Sequence, residues 1–377
     1  MRSMSSGMRF SFVGDVCLGG GVLESVRQHG PCFPFEAVAD CLSDYDVRIG
    51  NMEFCVKEGV NISDRIAGKL SATKEDSFGI VGAGFDALCL ANNHIMDYGE
   101  TGLRSSIGFL DESGVDWFGA GNTLKEASRV CWLRKDGRNI ALIGACDFSE
   151  DFAGKSSAGV APMKKRILKA RLREAKVSAD LIIVSLHGDL EFVQYPAPWR
   201  VDLARFLIDE GANIVIQHHP HVWQGIETYR GGVIAYSLGN FVFRVQGNKY
   251  QGGREGVGKS FILGVDVVWK GDGRPLLSWH VLPVRIDDNH RPVIVTGTEG
   301  KKQVSELEKL SCALEDRERI RREWKRACRR EIRRTLMTAY YRLARGRIGE
   351  ALRECYCPLR NREDRRWLIG YISNGRL

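Results

Sequence analysis

Short apolar runs alternate with polar turns and amphipathic stretches over residues 1–300. Arg9–Val13 runs into Gly14-Asp15, Asp46–Ile49 into Gly50-Asn51, Ala87–Leu90 into Ala91-Asn92, and Asn139–Ala145 into Cys146-Asp147. Leu181–Leu186 ends at His187, Ile214–Ile216 at Gln217-His218, and Val233–Ser237 leads to Gly239-Asn240. These runs have strand length, and between them Pro34–Leu42, Gly99–Glu112, Lys164–Val177 and Pro198–Glu210 show helical spacing. Strand, polar turn and helix in repetition predict a layered α/β architecture. Ser260–Trp269 and Leu276–Ile286 read as further strands around a Gly271-Asp272-Gly273 hairpin turn.

From Val304 to about Leu352 the pattern becomes helical. Leu307, Leu310, Leu314, Ile320, Trp324, Cys328, Ile332, Leu336 and Tyr340 recur at three- and four-residue spacings, with Arg and Glu between them. One or two long basic helices are expected, ending near Gly346 or Gly349. Charge changes at the same place. Residues 301–377 hold 22 Lys and Arg against 11 Asp and Glu, whereas the rest of the chain holds 33 against 36. This asymmetry predicts one domain over residues 8–298 and a basic, mainly helical C-terminal extension over 299–377.

A hydrophobic share of 44% with 27% charged residues excludes a disordered chain. No apolar run reaches the roughly 18–20 residues that cross a bilayer. Met1–Phe10 shows neither an apolar core nor a cleavage site, so the expectation is a cytoplasmic protein, with a peripheral place at the membrane as the alternative. The 11 cysteines sit at irregular spacings without a CxxC pair, as small buried side chains do in reducing compartments. Cys355-Tyr-Cys357 lacks a second ligand pair, which argues against a metal site there.

Candidate chemistry lies where the apolar runs end. Asp15, Asn51 with Glu53, Asn92 with Asn93 and His94, His187, and His218 with His219 and His221 each follow such a run. In an open α/β sheet, C-terminal strand ends face a common crevice. Taken singly, an Asp there is usually a helix cap and Asn92-Asn93 a turn. Five of the eight histidines, however, fall in three of these clusters, whereas His29, His280 and His290 follow no pattern. In an extended chain, His219-Pro220-His221 would put two imidazoles on one side. Oxygen and nitrogen donors without paired thiolates suit Mn, Fe, Zn or Mg better than a structural zinc site.

The runs Gly14-Asp15-Val16-Cys17-Leu18-Gly19, Asn51-Met52-Glu53, Ala91-Asn92-Asn93-His94-Ile95-Met96-Asp97-Tyr98-Gly99, His218-His219-Pro220-His221-Val222 and Tyr236-Ser237-Leu238-Gly239-Asn240-Phe241 resemble the capsule-synthesis protein CapA family. That family is associated with poly-γ-glutamate synthesis and belongs to the calcineurin-like metallophosphoesterase superfamily. The resemblance runs in order from about residue 9 to residue 244 and implies a four-layer α-β-β-α sandwich. It also implies two divalent ions. Asp15 and His221 would hold the first, Asn93, His187 and His219 the second, and Glu53 would take the bridging place. His94 would be the acid near the leaving group, oriented by Asp97, with Cys17, Asn51, Asn92, Glu191, His218 and Asn240 supporting the ligands or the substrate.

Two departures stand out. Cys17 occupies a position where metallophosphatases of the superfamily carry His; it is either a soft ligand or a packed thiol. The family's His-Trp-Gly-x-Glu element reads His187-Gly188-Asp189-Leu190-Glu191. Losing the Trp points to a changed substrate, Asp189 is a solvated loop residue or an added metal contact, and Glu191 would support His187. The resemblance implies a metal-dependent hydrolase of a phosphoester or phosphoanhydride in capsule or surface-polymer biosynthesis, of poly-γ-glutamate or polysaccharide. Its alternatives are a non-hydrolytic accessory protein of polymer synthesis or export that keeps a metal site, and an enzyme acting on amide or γ-glutamyl groups.

The substrate expected is an anionic small molecule or polymer precursor. Arg321/Arg322, Lys325/Arg326, Arg329/Arg330 and Arg333/Arg334 repeat every four residues and give the extension a cationic helix face. It is read as a solvated face over an apolar stripe, or as a contact, through residues 317–366, with an anionic membrane surface or an acidic polymer. No nucleic-acid motif accompanies it, so nucleic acid is not expected.

Overall fold

The computed structural model describes residues 7–58, 69–147, 151–245, 254–345, 347–349 and 352. Cys355, Cys357 and most of the segment beyond Gly346 lie outside them.

The principal strands, in chain order, are β1 (Gly7–Val16), β2 (Val47–Met52), β3 (Ala87–Cys89), β4 (Asp116–Phe118), β5 (Cys131–Lys135), β6 (Arg138–Cys146) and β7 (Leu181–His187). They continue as β8 (Ile214–His218), β9 (Ile226–Tyr229), β10 (Gly232–Ala235), β11 (Asn240–Val242), β12 (Lys259–Trp269), β13 (Pro275–Ile286) and β14 (Pro292–Ile294). The longer helices are α1 (Val22–His29), α2 (Gly99–Ser113), α3 (Lys165–Ala175), α4 (Pro198–Asp209), α5 (Gly297–Ala313) and α6 (Arg317–Ala344). The strands form two large mixed sheets, the first ordered β14-β13-β12-β1-β2-β3-β4 with β11 beside the end of β1, the second β9-β10-β8-β7-β6-β5. In each the central strands are parallel and antiparallel strands close an edge.

Alternation along the strands sets the layers. In β6 and β7, Ile140, Leu142, Leu181 and Ile183 join the main core with Leu88 and Phe118 of the first sheet. Their neighbours Ala141, Ile143, Ile182 and Val184 turn to the opposite face, onto Leu168 and Leu172 of α3 and Leu203 and Leu207 of α4. Gly144 of β6 lies close against the end of β4: a methyl group there would lie 2.8 Å from the Gly119 Cα and 3.0 Å from the Phe118 ring. The result is the layered α/β sandwich expected, with helices outside the sheets. The β12–β13 hairpin turns over Gly271–Gly273 as anticipated, Trp269 pairing with Pro275. The Pro34–Leu42 stretch is instead a 3₁₀ turn, Phe33–Val38, followed by a short helix, Ala39–Ser43.

The basic C-terminal pattern forms the two helices α5 and α6. Leu307 and Leu310 belong to the main core, and Ala313, Leu314 and Ile320 to the α3–α4 layer. Gln303 of α5 is buried and donates to Ser260 O at 2.7 Å and Val284 O at 3.0 Å, closing backbone acceptors of the first sheet. Trp324, Ala327 and Cys328 of α6 pack on Leu190, Val193 and Ala197. Although composition changes near residue 300, apolar packing continues across it.

Candidate metal centre

The parallel strands bring their C-terminal ends to one edge. Asp15 pairs in register with Asn51 of β2 and with Asn240 of β11, at a ladder irregularity between Asp15 and Val16. His187 and His218 end β7 and β8 opposite each other. Gly14 is required here: a methyl group would meet Gly239 O at 2.0 Å, and Asp15 N donates to that same oxygen at 2.9 Å.

The expected pair of imidazoles on an extended His219-Pro220-His221 is corrected. Strand β8 stops at His218, and both His219 (φ 98°) and His221 (φ 56°) have left-handed backbone. Side chains other than glycine adopt that region at a cost, and such strain collects at functional sites. The two rings converge through the turn, their centroids 5.8 Å apart, with His187 4.8 Å from His219.

Asp15, Glu53, His187, His218, His219 and His221 are all buried. Asn51 Nδ2 donates to Asp15 Oδ1 at 2.8 Å, and Asn93 Oδ1 lies 2.8 Å from His187 Nε2. Asn240 Oδ1 is 2.8 Å from His221 Nδ1, orienting that ring. Asn92 spans the strand ends: its amide donates to Met52 O at 2.7 Å and its oxygen accepts from the backbone of His94 and Ile95. His94 Nδ1 contacts Asp97 Oδ2 at 2.9 Å, and Asp97 also accepts from Leu70 N at 2.5 Å.

Glu53 is the centre of the arrangement. Its Oε1 is buried and accepts no hydrogen bond from the described residues. Around it stand His187 Nε2 at 3.9 Å and the Nε2 atoms of His94 and His221 at 4.0 Å each. Donors spaced so, too far for hydrogen bonds and converging on one orphaned carboxylate oxygen, suit cations about 2 Å from each ligand. Two groups of donor atoms lie within 4.8 Å of one another: Asp15, Glu53 and His187, and Glu53, His219 and His221. Glu53 belongs to both. The resemblance placed Asp15 with His221; these also approach, at 3.7 Å from Asp15 Oδ2 to His221 Nδ1.

Electrostatics agree with a ligand set. Burial, then the neighbouring Asp15, push the Glu53 carboxyl well above the usual range. Burial acts upward on Asp15 too, but His218, His221 and Asn51 outweigh it and hold that carboxyl low. Burial and His219 push His187 well down, while burial lowers His221 to about 4 against the pull of Asp15. Neutral imidazoles are the form that binds a metal.

Three further residues lie around the cluster. Cys17 is a buried thiol pushed well up by burial, and its sulfur joins neither donor group. Asp189 is not solvated and joins neither donor group: it is buried, with Oδ1 2.9 Å from Leu190 N and Oδ2 2.8 Å from Ala197 N, so it ties the loop after β7. Burial raises it to about 6 although Arg200 pulls the other way. Glu191, expected beside His187, has its Oε1 3.6 Å from His221 Nε2. Sequence reasoning passed over Phe192, whose ring faces His221 with centroids 6.0 Å apart; no local pattern marks a residue that reaches the site from a loop.

Fold and cluster together define a layered α/β protein with buried His, Asp and Glu groups that could bind metal ions. The family described as Bacterial capsule synthesis protein PGA_cap matches residues 9–245, and the chain belongs to that family. It is 34% identical over 246 residues to "Capsule biosynthesis protein CapA" of Bacillus anthracis, covering 63% of this chain and 60% of that one. It is 37% identical over 239 residues to "PGA biosynthesis protein CapA" of Bacillus subtilis (strain 168), covering 62% of each. The chain thus spans less than two thirds of these relatives. Solved structures similar to it include a hypothetical protein from Thermus thermophilus, at TM-score 0.44 and 19% identity, covering 73% of this chain and 99% of that one. The 5'-nucleotidase from Candida albicans is similar at TM-score 0.41 and 12% identity, covering 80% and 58%. Among the described residues no helix is long and apolar enough to cross a membrane.

Proposed function

We propose that the protein is a metal-dependent hydrolase of phosphoester or phosphoanhydride bonds that serves capsule or surface-polymer biosynthesis. The observation carrying this reading is the shared, orphaned Glu53 carboxylate between two groups of buried donors. Asp15, Glu53 and His187 on one side, and Glu53, His219 and His221 on the other, would hold the ions, with Asn93 beside His187. A bound pair of divalent cations supplies an activated water and a clamp on the phosphoryl oxygens.

The protein's own groups would do the rest. Asp97 fixes the His94 ring through Nδ1, leaving Nε2 on the side of Glu53. A proton held at that Nε2 could pass to a departing oxygen. Asn51 and Asn240 keep Asp15 and His221 in position. Burial keeps bulk water from competing.

The buried Cys17, which adds no nitrogen beside Asp15, favours a second reading: an accessory protein in which the metal cluster binds but does not turn over. Turnover of bis-p-nitrophenyl phosphate by Mn-loaded protein, with metal content measured on the same sample, separates the two. Metal-dependent turnover supports the hydrolase; full metal content without turnover of this or of an alkyl phosphodiester supports the accessory role.

A further inference from the structure

A cavity of about 640 Å³ opens between α6 and the loop that follows β7. One wall is that loop, from Phe192 to Tyr195, and the other is the arginine-bearing face of α6. The two walls are fixed to each other beneath the groove. Trp324, Ala327 and Cys328 of α6 pack on Leu190, Val193 and Ala197, and Trp199 meets Trp324 edge to face at 4.9 Å. That packing decides which side of α6 faces the cavity.

Among the described residues the lining carries six guanidinium groups, from Arg254, Arg326, Arg329, Arg330, Arg333 and Arg334, against the three carboxylates of Glu255, Glu323 and Glu331. Two of those carboxylates already serve arginines of the lining: Glu323 pairs with Arg326 at 2.6 Å and Glu331 with Arg254 at 3.4 Å. A positive surplus remains on a face that follows the helix axis. From Arg326 to Arg334 the face runs about 12 Å, since each residue rises about 1.5 Å. Positions three and four apart share a side of the helix, so Arg326, Arg330 and Arg334 form one row and Arg329 and Arg333 the next.

The groove is joined to the candidate metal centre. Phe192 N donates to Pro220 O at 2.8 Å, within the turn that presents His219 and His221. Its ring faces His221 on one side, and the Arg254 guanidinium lies over it, 3.9 Å from the centroid. Phe192 thus touches His221 on one side and Arg254 of the cavity lining on the other. Arg254 and α6 both lie beyond the residues that match the family, 9–245.

We propose that this groove is an anion-binding subsite for an extended substrate. It holds the non-reacting part of a chain that bears carboxylates or phosphates at regular intervals, while the reacting end lies at the metal cluster. The inference rests on the hydrolytic reading of that cluster. Guanidinium groups in a row suit such a chain because each takes a carboxylate or phosphate through two parallel hydrogen bonds. A polymer with an anion on each unit engages several arginines at once, whereas a compact anion engages one or two.

The test uses the full-length protein with its metal content measured, and two probes: fluorescein-labelled oligoglutamate and inorganic polyphosphate. Arg330→Glu combined with Arg334→Glu reverses two exposed charges of the groove, with melting temperature and metal content checking the fold. Arg319→Glu combined with Arg322→Glu makes the same charge change on α6 outside the cavity. The expected result is binding of at least one probe by the parent protein, weakened about tenfold or more by the groove pair and by much less in the other pair. The bound probe should also slow turnover of bis-p-nitrophenyl phosphate. Preference between the probes tells carboxylate from phosphate chains. Equal weakening by both pairs, absence of binding, or arginine-dependent binding of phosphatidylglycerol vesicles without binding of either probe would overturn the proposal. Should the parent show no ester turnover while binding remains groove-dependent, the hydrolytic reading fails and the subsite stands as a polymer-binding groove.

Discussion

Glu53 Oε1 lies 3.9 Å from His187 Nε2, both atoms buried and neither close enough to satisfy the other. In a metal-free protein that leaves a carboxyl without a hydrogen-bond partner at Oε1 and with its ionisation suppressed by burial and by Asp15. Replacing it with the neutral isostere tests what the carboxylate is for. Glu53→Gln should melt within a few degrees of the parent in EDTA, because burial and Asp15 disfavour the charged carboxylate there and a neutral isostere avoids that cost. With Mn added, the parent should gain stability and the variant little. Melting curves with and without Mn check this, and an equal Mn-induced shift in both proteins would remove Glu53 from the ligand set.

The same carboxyl gives metal binding a pH dependence of definite sign. A Glu53 pKa raised above the ordinary 4.5 means that metal uptake must displace a proton over a range where a free glutamate is already ionised. His187 and His221, lowered by burial, bind as neutral rings and hold no proton to displace at neutral pH. Affinity for Mn should therefore fall as pH is lowered, with proton release traced to Glu53. Titration calorimetry in buffers of different ionisation enthalpy measures that release, which should shrink in Glu53→Gln.

His94 is expected to matter most for poor leaving groups. Its ring is held by Asp97 at 2.9 Å with Nε2 directed toward the cluster. A positioned general acid contributes roughly 100- to 10,000-fold when the departing oxygen needs a proton. His94→Ala should then lose far more rate on an alkyl phosphodiester than on a nitrophenyl one, at unchanged metal content. Equal losses on both would assign His94 a structural part. Asp97 also accepts from Leu70 N, so Asp97→Asn should disturb both the ring and the adjoining backbone.

The C-terminal helices bear on stability. The charge shift near residue 300 suggests that residues 301–377 can be removed with the metal site intact, yet Leu307 and Leu310 sit in the main core and Gln303 closes sheet acceptors. A chain cut at residue 300 should be insoluble. Trp324→Ala, which empties a fully buried position against Trp199, should cost about 3–5 kcal/mol in denaturant unfolding. A soluble, metal-replete 1–300 fragment would show that α5 and α6 add little to the core.

Much of the cluster was legible because its chemistry is local. Asp15, His187 and His218 fall at or beside the C-terminal ends of apolar parallel strands, and the packing of the two sheets brings those ends together. The turn at His219-Pro220-His221 was not legible as a turn, because period-two spacing says nothing of left-handed backbone. Asp189 looked like a solvated loop residue, since its partners, the backbone of Leu190 and Ala197, are set by how the loop folds. The apolar stripe of α5 and α6 was readable at helical spacing, but its destination in the core was not. Composition reports the exposed side of a helix more loudly than the buried one.

The most direct test of the central claim is elemental analysis of the purified protein beside His187→Ala and His219→Ala. His187 ends β7 and His219 lies in the turn after β8; both belong to the buried donor groups and neither is part of the apolar core. The account predicts divalent metal in the parent after Mn loading and dialysis, and a clear drop in each variant, with circular dichroism unchanged. Metal stoichiometry identical in all three proteins would contradict it.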